Sequence, residues 1–382
     1  MVYLDYAATT PVRPEVREAM LPLLDQAFGN PSSLHAYGEV ASRHVEQARE
    51  QVAQLIGAHT DEIFFTGGGT LSDNLAILGY VRRHGRPGQH LITSAIEHPA
   101  VLEPFHQLQR EGYDVTYLSV NQKGQISLDE LEKSLRPDTL LVSIMHGNNE
   151  TGSLQPLEEV GALLRERKVA FHTDAVQSVG KMDVDVRRLC VDLLSFSGHK
   201  LYAPKGIGVL YARRGVRLAP LHYGGGQESG LVSGTLPTPM IAGLGQAARL
   251  ARAELSLWRQ QVTPLREYLE ERLRQIPGIA LNLPGQAARL PHISNFSIDG
   301  LEGQLVLMEM DRKGYALSAG SACKAGMSEP SHVLTAMGKS REECLTSLRV
   351  SLGLPSTREE VNGFAEQLFR VCQKERSRLK LS

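Results

Sequence analysis

Apolar and polar residues alternate with two different periods along most of the chain, and these periods predict strands and helices in turn. Between several strand-like runs, apolar residues recur at helical spacing, over residues 71–83, 100–111 and 157–167. This rhythm predicts an α/β protein whose mostly parallel sheet is covered by helices on both faces. The apolar runs that predict buried strands are residues 63–66, 90–94, 115–119, 140–146, 169–174, 193–196 and 207–212.

Helical patterns precede this region, and a different pattern follows it. Pro14 suits a first helical position, which predicts a helix over residues 14–27, and a second helix is predicted over 38–57. Residues 251–273 read as one long charged amphipathic helix. We predict a large α/β domain over 15–255 and a smaller α+β domain formed by 1–14 and 256–382. The small domain's predicted elements are a strand at 293–298 and helices near 302–313, 330–337 and 357–376.

Composition and charge exclude several classes of protein. The chain has 382 residues, with 41 basic and 42 acidic side chains and no basic tract, so nucleic acid and anionic membranes are not expected partners. No apolar run approaches the roughly 20 residues of a membrane span. The N-terminus shows no secretory signal. We therefore expect a cytoplasmic protein.

The four cysteines have no CxxC pair and no metal-ligand spacing, so neither a disulfide framework nor a metal site is predicted. Cys323 lies in a loop of small residues, beside Lys324, and a nearby lysine favours the thiolate. A buried structural thiol is the better interpretation of Cys190, Cys344 and Cys372. Cys323 is therefore the candidate reactive cysteine.

Glycines follow the first predicted strand, at residues 66–70 (TGGGT). Glycines let a backbone approach a phosphate, and the N–H groups that begin the next helix favour an anion. The spacing matches neither the dinucleotide fingerprint nor the P-loop. A plain tight turn remains an equally good interpretation of this segment alone.

Further polar residues follow later strands, where ligands bind in open α/β sheets. His98 can stack on a heteroaromatic ring or carry a proton, or simply begin a helix. Asn149 can bind a ring substituent or form a turn. Asp174 closes a buried strand and can pair with a pyridinium nitrogen, although a helix cap or ion pair is an equal alternative. Lys200 can form a Schiff base, whereas most lysines are surface residues.

The order of these residues decides between the alternatives. A Gly-Thr turn, a histidine, an asparagine, Asp-x-x-Gln and finally Ser-x-His-Lys follow successive strands. Together they predict a site for pyridoxal phosphate at one edge of the sheet.

These segments also carry a resemblance to a known family. Along nearly its whole length the chain resembles the cysteine desulfurases, which are fold-type I pyridoxal-phosphate enzymes of the class-V aminotransferase family. The matching segments are residues 3–10, 29–33, 68–70, 73–77, 97–98, 148–152, 174–177, 197–200, 233–235, 320–323 and 348–353.

The resemblance implies a role for each matching residue. Lys200 carries the cofactor as a Schiff base, Asp174 pairs with the ring nitrogen, and His98 stacks on the ring and takes part in proton transfer. Cys323, on a mobile loop at about 318–332, receives the sulfur. Asn149 and Gln177 contact ring substituents; Gly69, Thr70, Ser197 and His199 hold the phosphate, with Thr235 reaching it from a second subunit; Asn30 and Arg349 bind the substrate carboxylate.

The implied activity is removal of sulfur from L-cysteine by a homodimer, giving alanine and a persulfide on Cys323. The sulfur then passes to an acceptor such as an iron–sulfur cluster scaffold, because residues 320–323 and 329–333 resemble the iron–sulfur assembly or nitrogen-fixation branch.

Three positions depart from the family pattern. Leu71 stands where members commonly have glutamate, and Ser229 and Val232 stand where they commonly have arginine. These changes leave open a catalytically weak sulfur-delivery or assembly subunit. An aminotransferase and a selenocysteine lyase on the same scaffold are the closest rival enzymes.

Overall fold

The structure is a computed structural model, and it describes residues 1–283, 285, 287–319, 323–324 and 327–379. For residues 323, 324, 327 and 328 the description covers the backbone alone. The predicted reactive thiol of Cys323 therefore lies outside the described part of the chain.

The main regular elements of the described residues are fifteen strands and fourteen α-helices. The strands are β1 (Val2–Tyr3), β2 (Ile63–Thr66), β3 (His90–Ser94), β4 (Asp114–Leu118), β5 (Thr139–Ser143), β6 (Ala170–Asp174), β7 (Leu193–Ser197), β8 (Gly208–Ala212), β9 (Ile279–Leu281), β10 (Ile293–Ile298), β11 (Tyr315–Ala316), β12 (Ser318–Ala319), β13 (Cys323–Lys324), β14 (Met327–Ser328) and β15 (Ser347–Ser351). The helices are α1 (Pro14–Met20), α2 (Pro22–Asp25), α3 (Ala36–Ile56), α4 (Gly69–His84), α5 (Pro99–Arg110), α6 (Leu128–Ser134), α7 (Leu157–Arg167), α8 (Thr238–Ala253), α9 (Leu255–Leu257), α10 (Thr263–Arg274), α11 (Gly303–Arg312), α12 (His332–Ala336), α13 (Arg341–Leu345) and α14 (Arg358–Leu379).

Seven strands form the large sheet, in the order β2-β8-β7-β6-β5-β3-β4. The neighbours from β7 to β4 pair in parallel, whereas β8 is antiparallel to both β7 and β2. All five residues of β3, β7 and β8 are buried, as expected of strands covered on both faces. The prediction of an α/β fold with a mostly parallel sheet is confirmed.

A smaller antiparallel sheet forms in the C-terminal part, in the order β12-β15-β10-β9. Helices α10 and α11 both pack against α14 beside it. The N-terminus joins this region, because β1 pairs with β11 and Val2 lies opposite Tyr315.

Two separate hydrophobic clusters fill these parts of the molecule. One includes Val52, Phe171 and Phe196 and packs around the large sheet. The other includes Leu4, Phe296 and Phe364, so N-terminal and C-terminal residues share a core. We propose domain boundaries near residues 14 and 255, as predicted from the sequence.

The prediction of one long helix over residues 251–273 is wrong. Helix α8 ends at Ala253, and a π-helical turn at Trp258–Val262 precedes α10. The end of α8 at Ala253 is a separate break, at Glu254. Pro264 explains the π-helical turn, because proline has no N–H for the helical ladder and its ring crowds the preceding turn. There the N–H of Thr263 reaches back five residues to the Trp258 carbonyl.

The helix predicted over residues 14–27 is likewise divided. It forms as α1 and α2, with Pro22 beginning the second piece. Among the described helices, none combines the length and apolar character that crossing a bilayer would require.

Candidate active site

The sheet topology brings five chain segments to one edge. Strands β2, β3, β5, β6 and β7 run in the same direction, so their carboxyl ends lie together. A cavity of about 380 Å³ opens at this edge. Its lining residues are Ala7, Ala8, Gly69, Thr70, Asp73, His98, Ala100, Met145, Gly147, Asn149, Asp174, Val176, Gln177, Ser197, His199, Lys200 and Arg349.

The glycine turn after β2 leads directly into α4. Gly68 has φ 142°, which favours glycine, and no side chain caps the first turn of the helix. A Cβ on Gly69 would lie 3.0 Å from a methyl carbon of Val176. The first N–H groups of α4 thus lie in a close-fitting, positively polarised cradle suited to an anion.

Side chains from β7 and the following turn complete this cradle. Ser197 is buried at the end of β7, and His199 Nδ1 lies 3.1 Å from the hydroxyl of Thr9. Burial, followed by the charge of Lys200, lowers the pKa of His199 to about 4, so the imidazole is neutral and serves as a hydrogen-bonding group. A neighbouring opening of about 610 Å³ shares Gly69, Thr70, Ser197 and His199 with the cavity.

Lys200 ends the short turn after β7, with its amine at the cavity. Its Nζ donates to the carbonyl oxygens of Ala7 at 2.6 Å and Ala8 at 2.7 Å. Burial, followed by the charge of Arg349, lowers the pKa of Lys200 to about 8. This amine therefore loses its proton far more readily than a surface lysine.

Asp174 closes β6 and is 7% exposed. Its Oδ1 accepts the backbone N–H of Val176 at 2.9 Å. Burial raises its pKa, while nearby His98 and Lys200 partly counter that rise. A cationic donor binding in the cavity would stabilise the charged carboxylate.

His98 is the N-cap of α5, and its Nδ1 accepts the backbone N–H of Ala100 at 3.1 Å. The neutral ring consequently carries its proton on Nε2, a tautomer inferred from this hydrogen bond. Burial lowers its pKa, which favours the neutral form.

Arg349 lies on β15 and reaches the same cavity from the smaller sheet. Its guanidinium pairs with Asp5 at 2.7 Å and donates to the backbone oxygen of Asn149 at 2.8 Å. Asp5 was not predicted as a site residue. Its signal in the sequence is its place in the matched segment 3–10, although nothing there identifies its partner.

The remaining predicted site residues divide into two groups. Asn149 and Gln177 line the cavity, and the Gln177 amide donates to the Ala7 carbonyl at 2.9 Å. Asn30 and Thr235 are exposed and do not line it. Asn30 instead accepts the backbone N–H of Ser32 at 3.0 Å.

Both ends of the segment that carries Cys323 are fixed beside the cavity. On the N-terminal side, Ser318 lies opposite Arg349 in the ladder of β12 and β15. On the C-terminal side, the Ser331 hydroxyl donates to the Glu150 carboxylate, and His332 Nε2 lies 2.9 Å from the Glu97 carbonyl oxygen. In between, the backbone of Cys323 pairs with that of Ser328.

The other three cysteines lie in different surroundings. Cys344 and Cys372 are buried, and burial raises the pKa of both thiols, that of Cys372 to about 11. Cys190 lines a larger cavity of about 580 Å³, which is also lined by Ala170 at the start of β6 and by Asp192 just before β7, and hence lies at the opposite edge of the sheet. None of the predicted site residues lines that larger cavity.

The three departures from the family pattern lie outside the cavity itself. Leu71 is half-buried at the neighbouring opening, and Val232 packs against a small apolar cluster that contains Leu75. Ser229 is exposed, with φ 56°.

Two comparisons with known proteins identify the family of the chain. The family model described as aminotransferase class-V matches residues 2–364. A curated relative, cysteine desulfurase IscS of Dictyoglomus turgidum, is 46% identical over 377 residues, which are 98% of this chain and 95% of the relative.

Solved structures agree as well. A NifS-like protein superimposes with a TM-score of 0.92 at 37% identity, covering 98% of this chain and 99% of its own. The structure of SspA in complex with cysteine gives a TM-score of 0.82 at 40% identity, covering 92% of this chain and 99% of its own. The chain therefore belongs to the class-V aminotransferase family, in its cysteine desulfurase branch.

Proposed function

We propose that this protein is a pyridoxal-phosphate-dependent cysteine desulfurase, which converts L-cysteine to L-alanine and holds the sulfur as a persulfide on Cys323. The observation that carries the proposal is one cavity with an amine of lowered pKa at Lys200 and a buried carboxyl at Asp174. Arg349, in the same cavity, lies opposite the strand that leads to Cys323.

The residues of the cavity fit pyridoxal phosphate at three points. The uncapped start of α4 at Gly69 suits the phosphate, with Thr70, Ser197 and His199 around it. Asp174 suits the ring nitrogen, since a pyridinium would relieve the cost of burying its charge. Lys200 suits the aldehyde. When bound, this cofactor supplies an electron sink for bond cleavage at the amino acid.

The side chains around that position hold and move protons. Lys200, once free of the cofactor, accepts a proton at Nζ from the α-carbon of the substrate, and its low pKa keeps a neutral amine accessible. His98 would contact the ring of the bound cofactor and could donate its Nε2 proton, and Asn149 and Gln177 line the same cavity.

Arg349 is the group that recognises the carboxylate of cysteine. A guanidinium binds a carboxylate through two parallel hydrogen bonds, which fixes its orientation as well as its charge. In this structure Asp5 accepts a hydrogen bond from the Arg349 guanidinium. The substrate carboxylate therefore either replaces Asp5 or binds beside it. Asn30, exposed and bonded within its own turn, is proposed as a second contact to the carboxylate.

Sulfur transfer balances without any further oxidant. The Cys323 thiolate attacks the substrate sulfur, an S–S bond forms, and the C–S bond of the substrate breaks. The β-carbon of the substrate gains a proton, the product leaves as alanine, and the enzyme keeps the sulfur as a persulfide. Cys344 and Cys372 are poor alternatives because burial raises their pKa, and Cys190 lies at the other sheet edge.

The persulfide is passed to an acceptor protein, and an iron–sulfur cluster scaffold is the proposed one. The active form is a homodimer in which Thr235 of each chain contacts the phosphate bound by the other. Thr235 is exposed and does not line the cavity of its own chain, which supports that arrangement. The cytoplasmic location expected from the sequence remains a prediction.

One assay tests the activity directly. Purified protein with bound cofactor is given L-cysteine and dithiothreitol, and alanine and sulfide are measured together. The proposal predicts both products in equal amounts and none with Lys200→Ala. Formation of a keto acid without sulfide would identify an aminotransferase. Activity on selenocysteine but not on cysteine would identify a selenocysteine lyase. No turnover at all would indicate a delivery or assembly subunit.

A further inference from the structure

Three buried carboxyl side chains lie close together at the cavity, and the proposed chemistry uses only one of them. Asp174 is 7% exposed, whereas Asp73 and Glu97 are 1% and 0% exposed. Asp73 lies in the first turns of α4, and Glu97 lies between β3 and α5. Three buried carboxyls so close together cannot all be ionised unless a cation or a hydrogen-bond donor compensates each negative charge.

Among the described residues, Asp73 has only the Ser195 hydroxyl to stabilise a negative charge. Its Oδ1 has no hydrogen-bond partner among the described residues. The ion-pair candidate nearest to it is His172, whose Nε2 lies 3.6 Å from Oδ1. This imidazole is completely buried, with Nδ1 at 2.8 Å from the Ser143 hydroxyl and Nε2 at 3.0 Å from the Ser195 hydroxyl.

His172 does not supply the missing positive charge. Burial lowers its pKa to about 3, so the ring is neutral at neutral pH. The other charged groups that act on Asp73 are the carboxyls of Asp174 and Glu97, and both disfavour its ionisation.

Asp174 is better placed to be the charged member. The charge of Lys200 lowers its pKa against the effect of burial, and the Val176 N–H donates to it. Asp73 has no cation of this kind. Because the two carboxyls repel each other when both are ionised, the proton stays on the one with less support.

We propose that Asp73 is a protonated positioning residue, which keeps the single negative charge of a buried carboxyl pair on Asp174. Burial and the neighbouring Asp174 both raise the pKa of Asp73 well above its usual value. The consequence for catalysis rests on the proposed function. An ionised Asp73 would compete with Asp174 for the proton of a bound pyridinium, whereas a neutral Asp73 leaves that proton on the ring nitrogen.

Infrared spectroscopy of the full-length purified protein tests the protonation state itself. A protonated carboxyl has a C=O stretch separate from the carboxylate bands, and ¹³C labelling of aspartate carboxyls shifts the Asp73 band but not that of Glu97. We expect one shifted aspartic-acid band from this buried site at neutral pH. It is lost in Asp73→Asn and retained in Asp174→Asn.

The variant Glu97→Gln is the matched control, because burial raises the pKa of Glu97 to about 8 and its band should be insensitive to the aspartate label. Absence of any label-sensitive acid band in the wild type overturns the proposal, even if a variant fails to fold. So does loss of that band in Asp174→Asn but not in Asp73→Asn. Neither result requires bound cofactor or turnover, so failure here is distinct from failure of the proposed function.

A second readout uses the visible absorption of bound cofactor as a function of pH. Asp73→Asn replaces one neutral side chain by another of the same shape, so the midpoint of that titration should not move. If Asp73 were ionised, the same variant would remove a buried negative charge, and the midpoint would move by about one pH unit or more. Such a shift would contradict the proposal.

Discussion

Ser318 lies directly opposite Arg349 in the antiparallel ladder of β12 and β15. The strand that carries the proposed carboxylate-binding arginine thus also fixes the chain five residues before Cys323. On the far side, Ser331 is hydrogen-bonded to Glu150, which follows Asn149 of the cavity. The proposed substrate-binding residue Arg349 and the chain that leads to Cys323 therefore share one piece of sheet.

The lowered pKa of Lys200 predicts how cofactor attachment depends on pH. Only the neutral amine attacks an aldehyde, and the fraction of neutral amine grows as pH rises through about 8. For cofactor-free protein mixed with pyridoxal phosphate, the rate of appearance of the visible absorption band should rise with pH and level off above about 8. An ordinary lysine would instead keep rising toward its pKa of about 10.4.

The variant Lys200→Ala serves as the control for that experiment and should show no such band at any pH. A band of normal intensity in Lys200→Ala would mean that another amine carries the cofactor.

Removal of the Asp174 carboxyl should separate cofactor binding from activity. Asp174→Ala keeps the phosphate cradle at α4 but removes the partner of the ring nitrogen, so turnover should fall about a hundredfold or more while cofactor content falls far less. Cofactor content is measured by absorbance after release in alkali, and turnover by alanine formation. Asp183→Ala, with an exposed side chain, should match the wild type.

Arg349 is expected to act mainly on substrate binding. Arg349→Ala removes a charged hydrogen-bonding group from the cavity and should lower kcat/KM for cysteine about 10- to 100-fold. Arg83, exposed on α4, provides a matched control as Arg83→Ala. An unchanged kcat/KM in Arg349→Ala would show that another group binds the carboxylate.

Thr235 tests the shared site of the proposed dimer. Because it is exposed and outside the cavity of its own chain, Thr235→Ala should affect cofactor retention only through the second subunit. Sedimentation should report twice the mass of 41.9 kDa, and the variant should lose cofactor faster than the wild type during dialysis. A fully active monomer would contradict this arrangement.

Local patterns predicted the elements well and the contacts between them poorly. Strands β2, β3 and β10 have the bounds predicted from apolar runs, because buried strands leave a continuous local signal. The single helix predicted over 251–273 is broken at Glu254 and again by the π-helical turn before Pro264, and the charged amphipathic pattern runs through both breaks.

The unpredicted parts of the site are contacts between distant residues. Lys200 donates to Ala7 and Ala8, and Arg349 pairs with Asp5, across nearly 200 or more positions of sequence. Nothing in the pattern near either partner indicates such a pair. Asp73 was likewise not predicted as a site residue, because its burial depends on the packing of α4 against β6 and β7.

The central claim is that Cys323 receives sulfur after chemistry at Lys200, and mass spectrometry of the peptides after brief exposure to L-cysteine tests it most directly. We predict one added sulfur atom on the peptide containing Cys323. Cys323→Ala should keep the bound cofactor and its spectral response to cysteine, yet form almost no alanine or persulfide, whereas Cys190→Ala should behave as the wild type. Added sulfur on another cysteine, or normal alanine release by Cys323→Ala, would contradict the account.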